Sequence, residues 1–177
     1  MKNIIYLFFC IPFFAISQNS NAKIVSNKNS ILANFSETSI VAYQDGAVEK
    51  IEDFYSYLNL YAQTSNANVK NEIKANIEAI FLNQNLILTD IVEGNEVKKT
   101  MQELLEKFKN TSTHFETSNF KKEMDSNGNF FLIHYDLQVK NEENKQYKIH
   151  QKVYFFPSIK NFGTTQKNVW QLKLGEF

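Results

Sequence analysis

Three histidines and a few carboxylates are the side chains here that could move a proton or hold a metal. His134 and Asp136 stand two apart in one apolar run, and Lys148, His150 and Lys152 alternate in the next. On a strand, a spacing of two means a shared face. If the two runs pair as a hairpin with a five-residue loop at 141–145, Asp136 falls opposite His150 and His134 lies beside Lys152. Imidazole and carboxylate together suit zinc, copper or iron. Two lysines on the same face weigh against a cation, and an exposed cross-strand ion pair accounts for these residues without one, so no metal site is assigned. Cys10 is the sole cysteine, which excludes an internal disulfide and a Cys-based zinc site. The chain contains no glycine-rich phosphate loop, no Gly-x-Ser-x-Gly, no His-Glu-x-x-His and no EF-hand loop, so no cofactor is implied.

The 177 residues carry 19 lysines, no arginine and 19 acidic groups, for a formal charge of zero. Phosphate neutralisation needs clustered basic surplus, so nucleic acid is not an expected partner. No guanidinium fork is available for bidentate recognition of carboxylate or phosphate. The composition includes 22 Asn, a bias that AT-rich codon usage explains as readily as function does. An apolar fraction of 43 %, with 16 Phe, is enough for the core of one domain.

The chain opens like an export address. Met1-Lys2-Asn3 is positive and Ile4 to Ile16 is almost wholly apolar, shorter than the roughly 20 residues that span a bilayer. Ala15-Ile16-Ser17 then presents small residues where a signal peptidase cuts. Residues 1–17 are therefore expected to be a Sec signal peptide, placing the mature chain in the periplasm or outside the cell with no transmembrane segment. Lipidation at Cys10 is disfavoured, because bulky Phe8-Phe9 stand where a lipobox carries small residues.

Residues 18–44, rich in Asn and Ser, read as a flexible leader that ends in a short strand at Ile40-Val41-Ala42-Tyr43. The domain is expected over 45–177. Behind an Asp45-Gly46 start, Val48, Ile51, Tyr55, Leu58 and Ala62 form one helical stripe, and from Asn68 a second helix buries Val69, Ile73, Ile77, Ile80 and Phe81. A short strand follows at 86–92, closed by Glu93-Gly94-Asn95. A third helix carries Val97, Met101, Leu104, Leu105 and Phe108. Beyond Asn110 the period becomes two, with strands at 114–124, 129–139, 146–156 and 168–176 and a long loop from Pro157 to Lys167. Asp125-Ser126-Asn127-Gly128 is a hairpin turn that pairs Met124 with Phe131, Phe120 with Tyr135 and Ser118 with Leu137. The following hairpin pairs Val139 with Tyr147, Leu137 with Ile149 and Tyr135 with Gln151.

This order of elements, the long first helix Val48 to Ala62 and the closing Asn168-Val169-Trp170-Gln171-Leu172-Lys173-Leu174 resemble the NTF2-like, or cystatin-like, cone over residues 46–177. The resemblance implies an α+β fold in which three N-terminal helices pack in the concave face of a curved antiparallel sheet, with a pocket at the wide end. The superfamily includes ketosteroid-isomerase-like and polyketide-cyclase-like enzymes as well as non-catalytic binding modules, so the fold does not choose among them. An isomerase-like member needs a pocket carboxylate and an oxyanion donor. Here that implies Tyr135 with Asp90 or His114, whereas Glu116 and Glu176 fall at strand ends.

The inner face instead reads as an aromatic ligand pocket containing Tyr135, Gln151, Tyr147, Phe120 and Trp170. Gln151 is placed to satisfy the Tyr135 hydroxyl. On the outer face, Phe130, Leu132, His134, Asp136, His150 and Tyr154 form an apolar patch ringed by charge, the pattern of an interface, here for a homodimer. The expected function is thus an exported non-catalytic module that binds a small apolar ligand or an envelope protein. The alternatives are a cone-pocket enzyme or a structural subunit that dimerises through the His134 face.

Overall fold

The computed structural model describes residues 31–83, 85–91, 98–109 and 111–177. Met1–Ser17 with Cys10, the leader as far as Ser30, the Glu93-Gly94-Asn95 closure and Val97 lie outside the described residues. The turn α1 (Ile31–Asn34) precedes α2 (Glu37–Gln63) and α3 (Ala67–Ile80). A small antiparallel pair follows, β1 (Ile87–Thr89) with β2 (Lys98–Thr100), and then α4 (Met101–Phe108). The chain continues into β3 (His114–Met124), β4 (Phe130–Lys140), β5 (Lys145–Phe162) and β6 (Thr165–Leu174), an antiparallel sheet in sequence order. The molecule is an α+β fold of three main helices followed by a curved, open four-stranded sheet.

Helix α2 begins at Glu37 instead of Asp45. Ser36 caps it by accepting a hydrogen bond from the Ser39 N–H at 3.3 Å. Ile40 adds a buried turn to the stripe Ala47, Ile51, Phe54, Tyr55, Leu58, Tyr61 and Ala62. Ile40–Tyr43 is accordingly helical and not a strand. Gly46 sits inside the helix, where an added Cβ would stand 3.3 Å from Leu172, so α2 passes close to β6 there.

Asn66 caps α3, and its inward row is Lys70, Ile73, Ile77 and Ile80. Val69, expected inside, is exposed; the stem of Lys70 takes that place and sets its ammonium over the Tyr61 ring at 5.3 Å. Strand β2 is unforeseen in the sequence, and it delays α4 to Met101. There Thr100 and Glu103 make reciprocal cap bonds: the Thr100 N–H donates to the Glu103 carboxylate at 2.8 Å and the Glu103 N–H donates to the Thr100 hydroxyl at 3.3 Å.

In the sheet, Met124 pairs with Phe131 as expected, but Thr117 faces Leu137 and Ser118 faces Asp136. The shift is a bulge at Asn119, whose φ is +57°. It reconciles an inward Phe115 with an inward-facing Phe120, five positions apart, and turns Glu116 outward. The β4–β5 register lies two residues from the expected one: Val139 opposes Lys145, Leu137 opposes Tyr147, Tyr135 opposes Ile149 and His134 opposes His150. An even slip preserves both faces, so burial alone does not choose between these registers. Left-handed Asn144 (φ 48°) closes the tighter turn.

Pro157 to Lys167 is not a loop. β5 and β6 continue as a hairpin arm to a two-residue Gly163-Thr164 turn, with Gly163 at φ 62°. Pro157 is tolerated because β5 beyond Tyr154 pairs with β6 alone.

Edge strand β3 is held to α2 by Asn59. Its amide donates to the Phe115 carbonyl at 2.9 Å and its Oδ1 accepts from the Phe115 N–H at 2.7 Å. Replacing Asn59 by Ala orphans both backbone groups and should cost about 2 kcal/mol of stability. Asn59→Asp, which cannot donate, should also be destabilising. Urea unfolding of the two variants beside wild type is the measurement.

Candidate functional site

The polar residues of the inner face bond to one another. Tyr135 donates to Gln151 Oε1 at 2.9 Å and lies 3.0 Å from the Tyr55 hydroxyl, so Tyr55 is left to donate to Tyr135. Gln151 in turn donates to the Gly175 carbonyl at 3.4 Å. All three side chains are buried. Burial raises the pKa of both tyrosines well above 10, and the neighbouring Tyr55 raises that of Tyr135 further. Gln151 thus satisfies Tyr135 as the sequence suggests, but from a diagonal position, because Ile133 is its direct partner.

The remaining expected pocket residues are largely packed into the interior. Phe120 tilts over the Tyr135 ring at 5.4 Å between centroids. Trp170 stacks on Phe155 at 4.5 Å and 15°, with Phe35 edge-on at 5.3 Å and Tyr43 edge-on to Phe155 at 4.6 Å. Phe35 and Tyr43 fall in the stretch read as leader, and this cluster is what they contribute. Trp170 also borders an open concavity of about 350 Å³ with Tyr43, Lys50, Lys160 and Lys173. Tyr147 is half-buried; its hydroxyl is shut from solvent with no hydrogen-bond partner among the described residues, and burial raises its pKa.

The candidate catalytic residues are engaged separately. Asp90 is fully buried and receives Lys107 Nζ at 2.5 Å. His114, 44 % exposed, lies 3.6 Å from Glu116, which also pairs with Lys140 at 2.5 Å on the surface. Tyr135 belongs to the tyrosine–glutamine chain. The pattern that places Asp90 after an apolar run says nothing of Lys107, seventeen residues on, whose ammonium makes Asp90 half of a buried ion pair.

On the outer face, the bulge opens a groove of about 610 Å³ bordered by Asn119, Glu123, His134, Asp136, Lys148 and His150. The expected Asp136–His150 pairing is replaced by His134 opposite His150 and Asp136 opposite Lys148. The two imidazoles stand with ring centroids 4.5 Å apart at 82°, Nδ1 meeting Nδ1. His134 Nε2 lies 3.3 Å from the Glu123 carboxylate. Asn119 donates to Asp136 at 2.7 Å, drawing that carboxylate toward the bulge.

Further along this face, Phe130, Leu132 and Tyr154 are half-buried, Phe130 and Tyr154 lying 5.8 Å apart. Lys152 lies 5.5 Å over the Phe130 ring and holds Glu176 at 2.5 Å, while the Tyr154 hydroxyl reaches Glu176 at 3.4 Å. Among the described residues no three metal-ligating side chains converge, and no helix is long and apolar enough to cross a membrane. The sequence reading missed the exposed Ile159 and Phe162 of the β5–β6 arm. Gly163 between two alternating runs is the signal that could have revealed them.

No known protein-family model matches this chain, and no curated protein is significantly similar to it in sequence.

Asp90→Asn removes the charge that compensates the partly buried Lys107 ammonium, and should lower stability by about 3 kcal/mol in denaturant unfolding. Alkali tests the tyrosine chain. Tyr55 and Tyr135 hold their protons more tightly folded than unfolded, so the unfolded chain releases them first as pH rises through 10. Stability contributed by these groups is whole below pH 10 and falls above it. Tyrosinate absorbance from this pair should therefore appear with unfolding and not before it, which a parallel circular dichroism titration would show.

Proposed function

We propose that this chain is an exported, non-catalytic module of NTF2-like architecture that binds an envelope partner, a second copy of itself included, through the outer face of its sheet. The element order supports the architecture: a long helix, a second helix, a short strand pair, a third helix and then four antiparallel strands. The charged start, short apolar run and small-residue cut of residues 1–17 support export.

The observation that carries the non-catalytic reading is the mutual satisfaction of the interior polar groups. Tyr55, Tyr135 and Gln151 bond to one another, and Asp90 is taken by Lys107. A general base must reach a substrate proton and an oxyanion donor must have a free N–H or O–H. Tyr135 already donates to Gln151, and Asp90 is fully buried under an ammonium. The outer face, by contrast, combines half-buried aromatic rings, paired charges and an open groove, the mixture found where protein surfaces meet.

Native mass spectrometry of the undenatured chain, alone and as Leu132→Glu, tests this reading. We expect a dimer or a retained partner in wild type and the bare monomer in the variant, with folding intact in both. An unchanged assembly in Leu132→Glu would overturn the assignment to this face. Catalytic turnover abolished by Tyr135→Phe in a variant that remains folded would overturn the non-catalytic reading itself.

A further inference from the structure

We infer that His134 and His150 form a two-histidine chelate for a divalent transition-metal ion, on a face where the tertiary structure assigns their rings to each other. The rings belong to directly opposed residues of β4 and β5. Opposed residues on antiparallel strands hold their Cβ atoms about 5 Å apart, a separation that lets two imidazoles converge on one ion about 2.0–2.1 Å from each nitrogen. The rings face each other Nδ1 to Nδ1, nearly perpendicular at 82° and in direct contact, so an ion between them needs the exposed His150 ring to draw back slightly.

The surroundings favour the ligand tautomer. His134 Nε2 is shut from solvent and makes no hydrogen bond among the described residues, and the Glu123 carboxylate lies 3.3 Å from it. A hydrogen bond closed from Nε2 to that carboxylate when the ion binds would leave the Nδ1 lone pair directed at His150, as in the carboxylate–histidine arrangement that orients metal-bound imidazoles. The His150 ring is exposed and free to adjust to the ion.

The neighbouring lysines do not leave the patch positive. Lys148 stands opposite Asp136, Lys152 is held by Glu176 at 2.5 Å, and Lys121, opposite His134, has the acidic Glu123 two residues along the same strand. Imidazole donors suit copper(II), nickel(II) and zinc, with copper(II) the tightest of the series. With two protein ligands, the ion keeps open positions facing the groove of about 610 Å³, for water or for a donor atom of a molecule seated there.

Copper(II) and zinc titrated into the purified full chain by calorimetry test the site, with electron paramagnetic resonance of the copper form counting bound nitrogens. We expect one ion per chain and two imidazole nitrogens at copper. His134→Asn and His150→Asn should each weaken binding at least about tenfold, and Glu123→Gln, which keeps both ligands, by about tenfold through the lost orientation. His114→Asn should change nothing. If His134→Asn fails to fold, exposed His150 carries the same test. Equal affinity in wild type and the His150→Asn variant, a copper spectrum without two imidazole nitrogens, or no binding by wild type would overturn the site.

Discussion

A single chain of buried hydrogen bonds, from Tyr55 on α2 through Tyr135 and Gln151 on β4 and β5 to the carbonyl of Gly175, joins the helical layer to the sheet. Each hydroxyl and amide in it sits where water does not reach, and an unpartnered polar group there costs about 1–3 kcal/mol. The chain therefore fixes the rotation of α2 against the sheet as well as adding stability. A slip of two residues keeps the apolar faces and sets Gln151 directly opposite Tyr135, so the turn closed by left-handed Asn144, and not burial, distinguishes the two registers.

The same constraint bears on function. The polar groups of the inner face bond to one another, and Phe35, Tyr43, Phe155 and Trp170 pack edge and face beside them. Aromatic pairs in such arrangements contribute about 0.5–1.5 kcal/mol each beyond the area they bury. Across the sheet, the bulge at Asn119 interrupts β3 where the groove runs beside the two histidines. Bulges redirect side chains at strand edges, and here the irregularity lets Phe115 and Phe120 both face inward.

Gly175–Phe177 illustrates how a short segment couples distant parts. Gly175 N–H donates to the Lys152 carbonyl at 2.7 Å, the Phe177 carbonyl accepts from the Thr89 N–H at 3.0 Å, and Glu176 holds Lys152. A Cβ on Gly175 would come within 2.5 Å of the Tyr154 ring, so the close passage depends on glycine. β1, β5 and the outer-face ion pair are thereby linked through three residues.

The sequence by itself determined the class of the molecule and the identity of its faces. Apolar period, 3.6 along Ile51, Tyr55, Leu58 and Ala62 and 2 along Phe131, Ile133, Tyr135 and Leu137, is a local property that burial obeys directly, so helices, strands and inward residues were legible. Tertiary structure decided what parity leaves open. The β4–β5 slip of two, which puts His134 and not Asp136 opposite His150, came with the tighter turn that left-handed Asn144 closes. The β3 bulge could have been suspected from the odd spacing of Phe115 and Phe120. The Asp90–Lys107 pair had no such sign, because strand and helix patterning is blind to contacts between elements. Likewise the β5–β6 arm was hidden by Pro157, whose missing N–H argues against a strand until the fold leaves that position with a single neighbouring strand.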